Sequence, residues 1–149
     1  MNVKIEDILK RKGNDILTVT RNVSIDEAVH TMASNKIGAL VVEDDGMLEG
    51  IITERDVLHA LDERGFSAVS KLKVEDLMTA QVHTGALQDD IVYVMTTMDK
   101  HRFRHMPVVD NGKLVGLVSS KDVVKTALAA ESMENRILKH YIKNWPEDE

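Results

Sequence analysis

Apolar positions along the chain switch between strand spacing and helix spacing, and the whole course runs twice. The short run Ile16-Leu17-Thr18-Val19 predicts a strand. Behind it Ser24 and Glu27 have the spacing of a capping box, and Ile25, Ala28, Val29 and Met32 recur on one predicted helical face. Gly38-Ala39-Leu40-Val41-Val42 predicts a buried strand, Asp44-Asp45-Gly46 a turn, and Leu48 to Thr53 a returning strand. Glu54 to Glu63 follows as a helix with Val57, Leu58 and Leu61 facing inward. The second half predicts a strand near Val82-His83-Thr84, a helix from Asp90 to Lys100 and a strand from Met106 to Val109. An Asn111-Gly112 hairpin turn, a strand from Leu114 to Ser119 and a helix from Ser120 to Ala130 complete it. Met133, Ile137 and Tyr141, four apart, predict a further amphipathic helix that belongs to neither half. Trp145-Pro146 ends it, and an acidic tail follows.

The residues repeat as well as the pattern. Gly50-Ile51-Ile52-Thr53-Glu54-Arg55-Asp56-Val57 returns as Gly116-Leu117-Val118-Ser119-Ser120-Lys121-Asp122-Val123. Lys4-Ile5-Glu6-Asp7-Ile8-Leu9 returns as Lys73-Val74-Glu75-Asp76-Leu77-Met78, and Leu40-Val41-Val42 is matched to Pro107-Val108-Val109. Two copies without a third argue for a pseudo-two-fold pair with a cleft between its halves, not for a solenoid. The fold class expected is α/β (α+β): two tandem β-α-β-β-α repeats at residues 3–63 and 73–130. Residues 64–72 form the linker, and residues 131–149 form a C-terminal helix and tail.

Composition narrows the function. With 43% apolar and 30% charged residues the chain belongs with globular proteins, not disordered ones. Its longest strongly apolar stretch, Ile37 to Val42, is too short to cross a bilayer, and the N-terminus has no secretory pattern. The absence of cysteine excludes disulfides, thiolate zinc sites and thiol catalysis, so a cytoplasmic location is the default expectation. A formal charge of −6 argues against broad nucleic-acid binding, and no DNA partner is expected.

The segment Gly-x-x-Thr/Ser-x-x-Asp carries the candidate chemistry. Its glycine, Gly50 or Gly116, sits in a strand, where it admits a second backbone or a ligand. Thr53 or Ser119 falls at the strand-to-helix junction, with Asp56 or Asp122 in the first helical turn. Free N–H groups at a helix start suit phosphate, and Arg55 or Lys121 adds a cation. The carboxylate instead suits the two hydroxyls of a ribose. Plain helix capping by the same hydroxyl and carboxylate explains the pattern equally well.

From Val3 to Ala130 the sequence resembles a pair of cystathionine-β-synthase (CBS) domains, the arrangement called a Bateman module. The resemblance rests on the Glu-Asp-Ile/Leu-Leu/Met segment before each copy, on Ile37-Gly38-Ala39-Leu40-Val41-Val42 and Arg104-His105-Met106-Pro107-Val108-Val109, and on both Gly-x-x-Thr/Ser-x-x-Asp segments. It implies a non-catalytic regulatory module that binds an adenine nucleotide (AMP, ADP, ATP, S-adenosylmethionine or NAD(H)) in clefts between the copies. No other cofactor is required. By that resemblance one site uses Thr18, Ile37, Gly38 and Ala39 with Ser119, Lys121 and Asp122. The other uses Thr84, Phe103, Arg104 and His105 with Thr53, Arg55 and Asp56. The aspartates then hold ribose hydroxyls, the hydroxyls and cations hold phosphate, and Ile37 or Phe103 lines the adenine. Arg104 and His105 should make the second site the more cationic. The proline-bearing turn usual after the first strand is replaced by Arg21-Asn22 and Leu87-Gln88. A homodimer through the helices, acting on a protein partner in trans or through assembly state, completes the expectation. A purely structural dimer is the alternative.

Other polar clusters read as structure. His101 and His105 have a chelating spacing but fall at a helix end and a strand start, without a third ligand. Met32, Met95, Met98 and Met106 read as core filler. Glu6-Asp7 and Glu75-Asp76 read as solvated helix starts, because adjacent helical residues point apart. No phosphate loop, nucleophile–base pair or acidic metal cluster supports a nucleotide hydrolase.

Overall fold

The structure, a computed structural model, describes residues 3–141; in the last helix the side chains beyond residue 130, save Asn135, lie outside that description. In chain order the elements are α1 (Ile5–Lys12), β1 (Thr18–Val19), α2 (Ile25–Asn35), β2 (Ala39–Asp44), β3 (Met47–Thr53) and α3 (Glu54–Arg64). Then come α4 (Phe66–Val69), α5 (Val74–Leu77), α6 (Ile91–His101), β4 (His105–Asp110), β5 (Lys113–Ser119) and α7 (Ser120–Tyr141). β1 runs parallel to β2, and β2 antiparallel to β3; β4 and β5 form the matching antiparallel pair. The two strand-helix repeats are therefore present.

The second copy lacks a counterpart of β1. Where Val82-His83-Thr84 predicts a strand, the chain makes one parallel bridge, Gly85 to Val108, with Gly85 N donating to Pro107 O at 2.9 Å. The strand pairing also corrects the residue match. Leu40 lies opposite Ile52 and Met106 opposite Val118, so Leu40 corresponds to Met106 and not to Pro107. Each hairpin carries a bulge at the same place, after Val42 and after Val108. Both hairpin turns have left-handed backbone at two successive residues, Asp45-Gly46 and Asn111-Gly112, which suits the twist of the flanking strands. Arg21-Asn22 and Leu87-Gln88 turn without proline.

Several local expectations are revised. Ser24 caps α2 by accepting from Glu27 N at 3.1 Å, but among the described residues no return bond from Glu27 completes a capping box. Val29 and Leu58 point outward, and Ala60 takes the inward position beside Val57. The linker holds a short helix, α4, whose Val69 is buried in the first core. The expected break between two C-terminal helices does not exist: α7 is continuous for 22 residues. The side chains of Met133, Ile137 and Tyr141 lie outside the described residues, as do Trp145-Pro146 and the acidic tail.

The apolar cores cross the repeat boundaries. One cluster contains Ile25, Ala28, Leu40, Val42 and Ile52 of the first repeat together with Val74, at the start of the second. The other contains Ile91, Val94, Met106, Val108 and Val118 of the second repeat together with Ile5, Ile8 and Leu9, at the start of the first. Each leading helix thus packs on the other repeat. Asp7 and Asp76 close these helix starts by accepting from Lys4 N and Lys73 N, at 2.9 and 2.8 Å. Both are exposed, as solvated helix starts require.

Candidate functional site

Two clefts open where the repeats meet. The larger, about 640 Å³, contains Thr53, Arg55 and Asp56 from the β3–α3 junction, facing Phe103, Arg104 and His105. The smaller, about 460 Å³, contains Ser119, Lys121 and Asp122 from the β5–α7 junction, facing Ile37, Gly38 and Ala39. Both volumes suit a small-molecule ligand. Thr18 and Thr84 line neither. Thr18 donates its hydroxyl to Glu43 Oε1 at 3.0 Å in a separate recess, and Thr84 is exposed. The positions just before them, Ile16-Leu17 and Val82-His83, line the clefts instead. Side chains alternate along a strand, and Thr18, in β1, points away from the cleft that its neighbour Leu17 lines.

At each helix start the hydroxyl and carboxylate cap the backbone. Thr53 N donates to Asp56 Oδ2 at 2.8 Å and Asp56 N to Thr53 Oγ1 at 3.3 Å. Ser119 N donates to Asp122 Oδ2 at 2.9 Å and Asp122 N to Ser119 Oγ at 3.1 Å. Capping uses only Oδ2 of each aspartate. Among the described residues no protein group donates to Oδ1, so capping and ligand binding are compatible at both positions.

The walls opposite are positioned by strained helix ends. α2 ends at Lys36 and α6 at Arg102, both in left-handed backbone that non-glycine residues rarely adopt. Each is followed by an apolar residue, Ile37 or Phe103, at a cleft wall. Arg104 and His105 border both clefts, and so does Glu54, so the expected concentration of cation in one site is not found. Glu54 approaches Gly38 closely; a Cβ there would lie 3.1 Å from its Oε1.

Burial holds the His105 imidazole below its usual value, with Arg104 adding to the effect; Glu54 and Asp122 oppose it. Burial by itself would raise the Asp122 carboxyl. Hydrogen bonds from Lys12 and from Ser119 N overcome that and hold it below the usual range.

Sequence reasoning missed Lys12, which reaches Asp122, and His83, whose ring stacks on His101 at 4.1 Å and on Phe103 at 5.2 Å. The His101 ring is thus engaged by His83 and not by His105. No group of three or more potential metal ligands exists among the described residues. The echo of Lys4–Leu9 at Lys73–Met78 marks both leading segments, but not which repeat each one joins.

The Gly-x-x-Thr/Ser-x-x-Asp glycines admit protein. A Cβ at Gly50 would lie 2.7 Å from Thr79 O, and one at Gly116 would lie 2.7 Å from Leu9 side-chain carbons.

Two strand-helix repeats, the second without the first strand, exchange their leading helices and leave a cleft on either side of a shared wall, which defines a tandem pseudo-two-fold pair. A family model for the CBS domain matches residues 5–63 and 74–129. The chain belongs to the CBS domain family. It is 34% identical over 148 residues to a mitochondrial CBS domain-containing protein of Arabidopsis thaliana, CBSX3, covering 93% of this chain and 71% of that one. The crystal structure of a CBS-domain containing protein from Agrobacterium tumefaciens superposes with a TM-score of 0.80 at 43% identity, over 84% of this chain and 93% of the other. The CBS domain pair of protein MJ0100, solved with 5′-methylthioadenosine and S-adenosyl-L-methionine, gives 0.76 at 30% identity, over 87% and 99%. Among the described residues no helix is long and apolar enough to cross a membrane.

Proposed function

We propose that the chain is a non-catalytic regulatory module that binds an adenosyl ligand (AMP, ATP, NAD(H) or an S-adenosyl compound) between its repeats. The observation that carries this reading is the pairing, in each cleft, of a helix-start carboxylate with a spare oxygen and a neighbouring cation, opposite an apolar wall. Asp56 or Asp122 receives ribose hydroxyls, Arg55 or Lys121 meets phosphate, and Phe103 or Ile37 lies against the base. The relative bound with two adenosyl compounds supports the ligand class. Binding across two repeats shifts their relative orientation by differential affinity for the two arrangements, which supplies the output.

A second copy of the chain is the proposed reader of that shift. Leu58 on α3, Val92 and Met95 on α6, and Val124 and Leu128 on α7 are exposed apolar side chains on helices. A further protein partner acting on the same surface is compatible with this arrangement.

Thermal shift and calorimetry against AMP, ATP, NAD, NADH, S-adenosylmethionine and 5′-methylthioadenosine test the ligand class. A ligand that binds the folded state raises the melting temperature by mass action. No response to any of the six would move the reading to a structural dimer. Unchanged nucleotide after long incubation with magnesium is expected; hydrolysis would overturn the non-catalytic reading.

A further inference from the structure

The two cleft carboxylates are in different states. Lys12 Nζ donates to Asp122 Oδ2 at 2.7 Å and to Leu117 O at 2.8 Å. Lys12 ends α1, and Ile5, Ile8 and Leu9 anchor that helix in the core of the second repeat. A packed helix therefore delivers the ammonium. Asp56 is paired with no cation among the described residues; its Oδ2 accepts only from Thr53 N and the Thr53 hydroxyl. Following the matched leading segments to their ends places Gln81 where Lys12 stands, and Gln81 lines the Asp56 cleft without a charge.

The difference has a structural origin. In the first repeat Ile51 O accepts Thr79 N at 2.9 Å, because α5 stops after four residues and lets the following backbone join β3. Leu117 is the counterpart of Ile51 by strand pairing. α1 continues for eight residues, and the side chain of its last residue satisfies the Leu117 carbonyl in place of a backbone N–H. From that position the same ammonium reaches Asp122.

We infer that Lys12 is a specificity-determining residue, which reserves the Asp122 carboxylate so that an uncharged adenosyl ligand fills the Asp56 cleft first. This rests on the reading of both clefts as adenosyl sites. A ribose offers two hydroxyls: at Asp56 the first meets the spare Oδ1, and the second, at Oδ2, displaces only the threonine hydroxyl, which is free to rotate. At Asp122 Oδ1 is equally open to the first hydroxyl, but the second must displace the charge-assisted bond from Lys12 to Oδ2, and a neutral ribose cannot replace the lost ion pair. A difference of about tenfold in affinity corresponds to one such bond. A phosphorylated ligand would draw Lys12 to itself, so the probe must be uncharged.

The experiment is calorimetry and thermal shift of the full chain with 5′-methylthioadenosine, on wild type and on Asp56→Asn, Asp122→Asn, Lys12→Gln and the Lys12→Gln/Asp122→Asn pair. The two aspartate variants each remove one matched helix-start carboxylate and so control for each other's effect on folding. The tighter site of the wild type is expected to vanish in Asp56→Asn and to persist in Asp122→Asn. Lys12→Gln is expected to strengthen the weaker site by about tenfold, and the added Asp122→Asn change to cancel that gain. Loss of the tighter site in Asp122→Asn, or unchanged affinities in Lys12→Gln, would overturn the role of Lys12 and leave the adenosyl reading standing. Neither heat nor thermal shift in wild type and Lys12→Gln alike would overturn both.

Discussion

Ile51 and Thr79 exchange both of their backbone hydrogen bonds, Ile51 N to Thr79 O at 3.0 Å and Thr79 N to Ile51 O at 2.9 Å. This bridge fastens the segment entering the second repeat to the last strand of the first. It requires an unsubstituted Cα at Gly50, directly beneath the Thr79 carbonyl.

Gly50→Ala is therefore expected to destabilise the protein by about 2 kcal/mol, the usual cost of forcing an extra carbon into a packed site. Gly116→Ala should cost less, because the atoms it meets belong to the movable Leu9 side chain and not to backbone. Denaturant unfolding of the two variants gives the comparison. Equal losses would contradict the assignment of backbone contact to one glycine and side-chain contact to the other.

Ile5 is fully buried in the core of the repeat that follows it at a distance in sequence. Ile5→Ala should cost about 3 kcal/mol, within the range for large-to-small core changes. Hydrogen exchange should show the loss of protection first around Val94, Met106 and Val118, in the second repeat. Loss confined to the first repeat would show that α1 packs with its own sequence neighbours.

His105 and Asp122 each contribute to the acid side of the stability curve. The folded His105 imidazole titrates below its ordinary 6.5, so the unfolded chain takes up the proton first as pH falls. Its contribution is whole above pH 6.5 and is lost as pH falls towards the folded value. Asp122 likewise titrates below its ordinary 3.8; its contribution is present above that pH and disappears as pH falls through the lower folded value. Melting temperature against pH should show a decline beneath pH 6.5 that His105→Asn flattens, and one beneath pH 3.8 that Lys12→Gln reduces. An unaltered profile in either variant would refute the corresponding assignment.

Leu58 is 65% exposed on α3, so it contributes little to the monomer's own core. If a second copy covers the helices, Leu58→Lys should shift sedimentation from dimer to monomer while a ligand-free melting curve at low protein concentration stays unchanged. A wild type that is monomeric at micromolar concentration would dispose of the dimer.

The local pattern of the sequence determined most of the elements, though not the lone bridge that replaces the strand expected at Val82-His83-Thr84, nor α4, nor the unbroken run of α7. Alternation, helical spacing and the Asp45-Gly46 and Asn111-Gly112 turns act over a few residues, and those parts are legible without tertiary contacts. The repeated Gly-x-x-Thr/Ser-x-x-Asp segments likewise identified the helix starts that face the clefts, because a strand-to-helix junction fixes where its first turn points. Tertiary structure decided the rest. Val29 and Leu58 have apolar side chains suited to either face, and only the neighbouring elements determine which helical stripe is covered. Thr18 falls outside its expected cleft because strand pairing with Val41 sets the parity of that segment, and parity cannot be read from the residue alone. Lys12 reaches Asp122 because α1 crosses to the other repeat, a choice made by burial of Ile5, Ile8 and Leu9 against residues far along the chain. Local preferences fix the shape of each segment; which distant segments meet, and so what surrounds each carboxylate, depends on packing the whole chain at once.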